Sequence, residues 1–550
     1  MEDSKQPFDV ALNVTRAGNL FTTHTAVSAG FDRFHPDLIR KYLSHYAIDE
    51  LAIPVEDLLA LCRQSAEDAS EPFNMAYLAL RASGQVNGVS KLHGQVSRQI
   101  FAQLFPRWPQ EEVPIGSVTN GIHVPTWDSA AADALWTTAF GQKRWRGDRP
   151  AEDDIRKLTN AQLWQLRTSG RKTMIGRLRE RYALQLAAED RGPSGASGIF
   201  NENVLTMGFA RRFATYKRPN LLLHDPERLI RLLTDPQRPV QLILAGKAHP
   251  QDVPGQMLIK QWKDFIKLPD IQGRVVFLND YDMLLAQEMV QDVDLWINTP
   301  RRPWEACGTS GMKVLVNGGL NLSELDGWWA EAYSPEVGWA IGVGQEHGDD
   351  PAWDAQEVEA LYTLLKHEVV PEFYERDETN MPSKWLGHIR ESMARLTLEF
   401  SATRAIREYT ENHYLPAASN YQERAAEDSK QGLAVLHWRQ ELDRHWNAVS
   451  FGAKQVETHD SQHFFQVEVF LGALNPDQIS VELYANSNDG CKSPIESMKA
   501  PEPGADSQGM LTYSAQFPAT RASSDYTART IPYHANVSVP LEAGQILWQH

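Results

Sequence analysis

Residues 204–219 read VLTMGFARRFATYKRP. Seven apolar or small residues, Val204 to Ala210, give way to four cations within eight positions, Arg211, Arg212, Lys217 and Arg218, with Tyr216 among them. A short apolar run bounded in this way reads as a buried strand. Three more follow, in VQLILAGKA (240–248), RVVFLND (274–280) and VDLWIN (293–298), with helical stretches such as Pro226 to Thr234 between them. The alternation predicts βαβ units and a parallel sheet covered on both faces. Ligands of such sheets bind beyond the carboxyl ends of the strands, so the residues just after each run are candidates. A charge run on a helix face is ordinarily only solvated. At a strand end, in a chain of net charge −17, this one reads as a site for one or more phosphates. Lys247, His249 and Tyr281 (in NDYD) fall at the same rim, where a plain turn or simple packing would also explain them.

The surroundings are those of a globular protein. The 550 residues suggest three or four domains at ~100–200 residues each, and 42% hydrophobic with 23% charged residues is an ordinary balance. Fifty-four Lys and Arg against 71 Asp and Glu argue against nucleic acid or an anionic membrane as the main partner. They leave small anions open. Cys62, Cys307 and Cys491 are too scattered for a disulfide framework or a metal site. The opening MEDSKQPFDVALNV has no basic-then-apolar leader pattern, and no window approaches ~18 apolar residues. A cytoplasmic protein is expected.

Texture divides the chain into three. Residues 1–128 are mixed, with helical patterns at Pro36 to Tyr46, Asn74 to Arg81 and Val89 to Leu104. Residues 129–430 carry helical segments from Ala151 to Glu189 and then the βαβ alternation. Residues 431–550 lose the helical pattern near Trp446 and alternate in FFQVEVFL (464–471) and ISVELYAN (479–486), which predicts a small all-β domain.

The stretch after the fourth run, RRPWEACGTSGMKVLVNGGLNLSELDGWW (301–329), is the richest in chemistry. Gly308-Thr309-Ser310-Gly311 opens an apolar helical segment, so free amides and the helix dipole would face an anion there. It is neither a Walker A loop nor a dinucleotide fingerprint. The carboxylate of Glu305 precedes the turn and Lys313 follows it. A lysine just inside a phosphate-cradling helix suggests a Schiff-base lysine for pyridoxal phosphate; a solvated helix lysine is the plainer alternative.

Glu305-Ala-Cys-Gly-Thr-Ser-Gly-Met-Lys313 resembles the cofactor-lysine motif of the α-glucan (glycogen/maltodextrin) phosphorylases. GFARRFATYKRP resembles their basic segment, and TTHT (22–25), VNGVSKLHG (86–94) and TNGIHVPTW (119–127) resemble segments of their first domain. NDYD, LDGWW and the β-rich tail are similar to the compact microbial type. The resemblance spans nearly the whole chain and implies an α/β, GT-B-like fold: two Rossmann-type parallel sheets facing a cleft, the first incomplete here, plus a C-terminal all-β domain. It implies reversible phosphorolysis of α-1,4-glucan to glucose 1-phosphate with inorganic phosphate. The 5′-phosphate of pyridoxal 5′-phosphate would serve as proton partner, and the enzyme would be a homodimer.

Carried over, the resemblance makes Lys313 the cofactor lysine and assigns Arg211, Lys217, Thr309, Ser310 and Tyr281 to the cofactor. Arg212 and Lys217 would hold the substrate phosphate, and His93 would stand beside the glucose. Glu305, Cys307, Gly308 and Tyr216 would meet sugar hydroxyls, Cys307 and Gly308 through their amides, and His24 would also serve the substrate. Gly311 stands where longer members carry Asn, Cys307 where Ser is usual, and Ala214 where longer members carry His. Roughly the first third of the family's length has no counterpart, so the isolated chain is expected to bind cofactor weakly and turn over little. Two other readings fit the residues: a sugar-nucleotide-dependent GT-B glycosyltransferase, or an inactive glucan-binding fragment of a phosphorylase.

Overall fold

The computed structural model describes residues 5–144, 152–486, 493–500 and 510–549. Ala151, Cys491 and residues 501–509 lie outside the described residues. The chain forms two compact units, one of residues 89–93 and 117–408, the other of residues 1–88, 94–116 and 409–550.

The first of these units is built on six parallel strands, with order Gly338–Ile341, Leu320–Glu324, Leu295–Asn298, Leu205–Ala210, Val240–Ala245, Val275–Leu278. The four apolar runs are four of these strands, and nearly every residue in them is buried because helices cover both faces. Two strands escape the apolar-run signal. Leu320–Glu324 carries Asn321, Ser323 and Glu324, all buried, and Gly338–Ile341 is short. Starting from Leu205–Ala210 as the first, the order is 3-2-1-4-5-6 read from the opposite edge. This is the doubly wound arrangement, whose switch point falls between the first and fourth strands.

Local signals set the helices. Asp225 caps Pro226–Thr234 by accepting from the Arg228 amide. The pattern from residue 151 to 189 resolves into Glu152–Arg156 and Asn160–Ala188, separated where Thr159 and Gln162 form a capping box. The longer helix buries Arg167, which donates to the carbonyls of Asp292 (2.8 Å) and Asn317 (2.7 Å), and Arg171, which pairs with Asp294 (2.7 Å). Asp294 also accepts the Thr206 amide, so these buried charges pin the amino ends of the strands.

The other unit contains a three-stranded sheet, in order Leu20–Thr22, Gln85–Gly88, Gly116–Ser117, its first pair parallel. It also holds two antiparallel sheets near the C-terminus, of three and four strands. Phe465, Val467 and Val469 of one and Val481, Leu483 and Ala528 of the other share a core, as the alternating pattern there requires. Helix Leu415–His445 runs against Phe8–Ala17 in the same unit. Among the described residues no helix is long and apolar enough to cross a membrane, and no cluster of potential metal ligands occurs.

Candidate active site

The basic segment leaves the sheet at the switch point. Arg211 follows the first strand and Thr299 the fourth, and the turn Thr215–Lys217 is bolted to the loop between Thr299 and Arg301. The Arg301 amide donates to the Tyr216 carbonyl (2.7 Å), and the Thr299 hydroxyl to that of Arg218 (3.0 Å). Arg218 is consumed by this architecture. It has a left-handed backbone, donates to the carbonyls of Thr299 and Pro300, and pairs with Asp354 and Glu357.

Arg211 and Lys217 instead point at one carboxylate. Arg211 Nη2 and Lys217 Nζ lie 2.6 and 2.7 Å from Glu305 Oε2, and Arg211 also bonds the Asn298 side chain. Burial alone would raise the Glu305 carboxyl, but the two cations outweigh it and hold it below the usual range. Glu305 is thus an anion whose Oε2 is shared, while Oε1 accepts no hydrogen bond among the described residues. Arg212 is exposed and makes no hydrogen bond or ion pair among the described residues. Tyr216 lies under Lys217 Nζ (4.8 Å to the ring centroid) and beside Trp304.

The loop from Glu305 to Gly308 is held at three points. The Glu305 amide donates to Asp326 Oδ2 (2.9 Å), the Ala306 carbonyl accepts from Ser90 Oγ (2.7 Å), and the Cys307 carbonyl accepts from the Trp328 amide (2.9 Å). The amides of Cys307 and Gly308 donate to nothing among the described residues. Gly308 has φ +81°, a conformation that favours glycine. Cys307 is buried and its thiol is pushed up to about 12 by that burial, so it is no thiolate nucleophile.

Ser90 also accepts the amide of His93 (3.1 Å), and the His93 Nδ1 accepts from the Val89 amide (3.1 Å). This leaves the ring proton for Nε2 when the imidazole is neutral. The VNGVSKLHG segment is therefore brought against the Glu305 loop, with His93 buried beside it. His24 belongs to the other unit and is exposed.

Helix Ser310–Leu315 follows the loop. Its first-turn amides have no partner within the helix, and the Ser310 hydroxyl accepts from Trp296 Nε1 (3.1 Å). A Cβ on Gly311 would lie 2.5 Å from Asn321 Oδ1 and 2.8 Å from Trp328, so the Asn of longer members has no room here. Lys313 is half-buried, its amine 3.7 Å from the centroid of the Trp127 ring, with no hydrogen bond or ion pair among the described residues. Burial lowers its proton affinity. Asn317 ties the two together by donating to the carbonyls of both Trp127 and Lys313 (2.9 Å each). Tyr281 packs on the same apolar cluster as Trp127. Burial raises its hydroxyl and nearby Arg211 opposes that.

Sequence reasoning passed over Ser90, Asp326, Trp127 and Asn317. All four lie inside stretches quoted above, but their roles are carried by backbone groups or packing rather than by residue type.

Sheet order and site define a doubly wound, GT-B-like α/β protein with a cationic crevice at its switch point. Comparison with known proteins narrows this. The carbohydrate phosphorylase family model matches residues 1–338, and the glycogen phosphorylase C-terminal domain matches residues 445–550. The glycogen phosphorylase of Mycobacterium tuberculosis H37Rv is 37% identical over 563 residues, covering 99% of this chain and 64% of that protein. That of Aquifex aeolicus is 39% identical over 412 residues (74% and 58%), and the maltodextrin phosphorylase of Thermococcus litoralis 32% over 548 residues (98% and 64%). The chain belongs to the carbohydrate phosphorylase family. It spans less than two thirds of the length of these relatives.

Proposed function

We propose that this chain is an α-glucan phosphorylase, or the cofactor-bearing portion of one, catalysing reversible phosphorolysis of α-1,4-glucan to glucose 1-phosphate. The observation that carries the reading is the convergence of Arg211 and Lys217 on Glu305, next to a loop with two unused amides. Cations for phosphate and acceptors and donors for sugar hydroxyls lie side by side.

The residues fit pyridoxal 5′-phosphate. An amine that is half-buried, free of carboxylates and lowered in proton affinity suits a covalent link to an aldehyde. Lys313 would hold the cofactor's aldehyde. Arg211, Lys217 and the amides of Thr309 and Ser310 would hold its phosphate, with Tyr281 alongside. When bound, the cofactor supplies through its 5′-phosphate a proton partner for the substrate phosphate.

The protein's own groups do the rest. Arg212 and Lys217 neutralise and orient the substrate phosphate. Glu305 Oε1 accepts a sugar hydroxyl, the Cys307 and Gly308 amides donate to others, and His93, fixed by Val89 and Ser90, stands by the glucose. Tyr216 completes these sugar contacts, and His24 keeps the substrate role that the resemblance implies. The same reading takes in a cytoplasmic homodimer and a division of the chain at 128 and 430. Nucleic acid and membrane are not among its partners.

The test is formation of glucose 1-phosphate from an α-1,4-glucan by the chain with added cofactor. Even slow release that requires inorganic phosphate and disappears in Lys313→Ala supports the reading. Transfer that requires a sugar nucleotide instead, and survives Lys313→Ala, overturns it.

A further inference from the structure

Asp326 is a buried carboxylate with no role in the reading above. It lies in the LDGW turn just after strand Leu320–Glu324, 1% exposed, and no cation among the described residues hydrogen-bonds it. Its two oxygens take backbone amides: Oδ2 that of Glu305 (2.9 Å) and Oδ1 that of Gly327 (2.7 Å). Burial pushes the carboxyl up to about 7, the Glu305 charge adding to this and Arg302 opposing it. A carboxylate is expensive to keep in such a place.

The rest of the turn closes on the same loop. Gly327 has φ +53°, and a Cβ there would lie 2.3 Å from the Cys307 carbonyl oxygen. The Trp328 amide donates to that oxygen (2.9 Å). Three consecutive residues, Asp326, Gly327 and Trp328, thus grip the backbone of Glu305 and Cys307, and Ser90 grips Ala306. Glu305 Oε1 and the amides of Cys307 and Gly308 are among the groups that no hydrogen bond holds among the described residues.

We propose that Asp326 is a positioning residue for sugar recognition: by holding the Glu305 amide it sets where the Glu305 carboxylate and the free amides of Cys307 and Gly308 point. The inference rests on the proposed sugar role of that loop. Asp326 touches no substrate and acts only through the loop.

The experiment uses the full chain, wild type, Asp326→Ala and Asp326→Asn, with two measurements. The first is hydrogen exchange at the Trp328 amide. Its acceptor, the Cys307 carbonyl, is untouched by the substitutions, so its protection reports the loop. Asp326→Ala should exchange at least about tenfold faster there, and Asp326→Asn, which keeps an acceptor for the Glu305 amide, should return most of the protection. The second is binding of glucose and, separately, of inorganic phosphate. Asp326→Ala should weaken glucose about tenfold or more and phosphate less than about twofold, with recovery in Asp326→Asn; general loss of structure would weaken both. Unchanged Trp328 exchange in Asp326→Ala, or equal loss of glucose and phosphate, overturns the proposal. A wild-type chain that binds no glucose overturns the sugar reading instead, and Trp328 exchange still decides whether Asp326 positions the loop.

Discussion

Glu542 and Glu305 each sit between two cations, and they do opposite work. Glu542 meets Arg424 and Arg16, all three nearly inaccessible. Both of its oxygens are used: Arg424 donates to Oε1 (3.0 Å) and Oε2 (2.7 Å), and the Ser538 amide also takes Oε1 (3.1 Å). Arg424 spends further donors on Asn13 and Asn536. The carboxylate is saturated, although Arg16 Nε and Arg424 Nε find no hydrogen-bond partner among the described residues, and the cluster joins helices Phe8–Ala17 and Leu415–His445 to the C-terminal segment. Glu305 with Arg211 and Lys217 is built from similar residues but is unsaturated. One oxygen carries both cations, the other accepts no hydrogen bond among the described residues, and each side chain keeps about a tenth of its surface exposed. Saturation, more than residue type, separates scaffold from site.

The comparison can be broken in a definite order. Arg424→Ala strips the buried Glu542 of its bidentate partner, leaving Arg16 (3.6 Å) and the Ser538 amide (3.1 Å), and should cost about 3–5 kcal/mol of unfolding free energy by denaturant titration. A loss below about 1 kcal/mol would put Glu542 in the same class as Glu305. Glu305→Gln should reverse the emphasis. Glucose affinity falls about 10- to 100-fold by calorimetry, as expected for loss of a charged acceptor, while unfolding free energy moves less than in Arg424→Ala, because the amide keeps an acceptor for Arg211 and Lys217. Gly311→Asn probes the wall behind the site, where the added side chain meets Asn321 and Trp328. It should cost about 1–3 kcal/mol in the same titration.

A pH dependence accompanies these effects. Burial would raise Glu542, but Arg424 and Arg16 hold it below the usual range, as Arg211 and Lys217 do Glu305. A folded-state pKa below the unfolded one gives stability that is present above about pH 4.3 and lost as pH falls through the folded value. Asp326, pushed up to about 7, has the opposite sign: its contribution is full below about pH 4 and lost as pH rises toward 7. Stability measured against pH should therefore lose part of its acid limb in Glu542→Gln. It should decline less between pH ~4 and ~7 in Asp326→Asn than in the wild type.

Legibility in the sequence followed the same line. Strands that are apolar throughout, such as Val240–Ala245, announce themselves. Leu320–Glu324 hides because its buried polar groups find partners only in the fold: Asn321 on the Gly311 carbonyl, Ser323 on Asn298. Arg211, Lys217 and Glu305 could be singled out because strand ends and a short motif place them locally. That Arg218, one residue from Lys217, is spent on Asp354 and Glu357 could not be read, since those partners lie 136 and 139 residues away. Asp326 and Ser90 act on the Glu305 loop through backbone groups, which leave no mark on residue type or spacing.

The account turns on Lys313 as the residue that holds the cofactor. The chain is incubated with pyridoxal 5′-phosphate, reduced with borohydride and mapped by peptide mass spectrometry. One dominant pyridoxyl adduct is expected, on Lys313, and it is absent in Lys313→Ala. Adducts spread over exposed lysines such as Lys91 and Lys157, with none on Lys313, would contradict it.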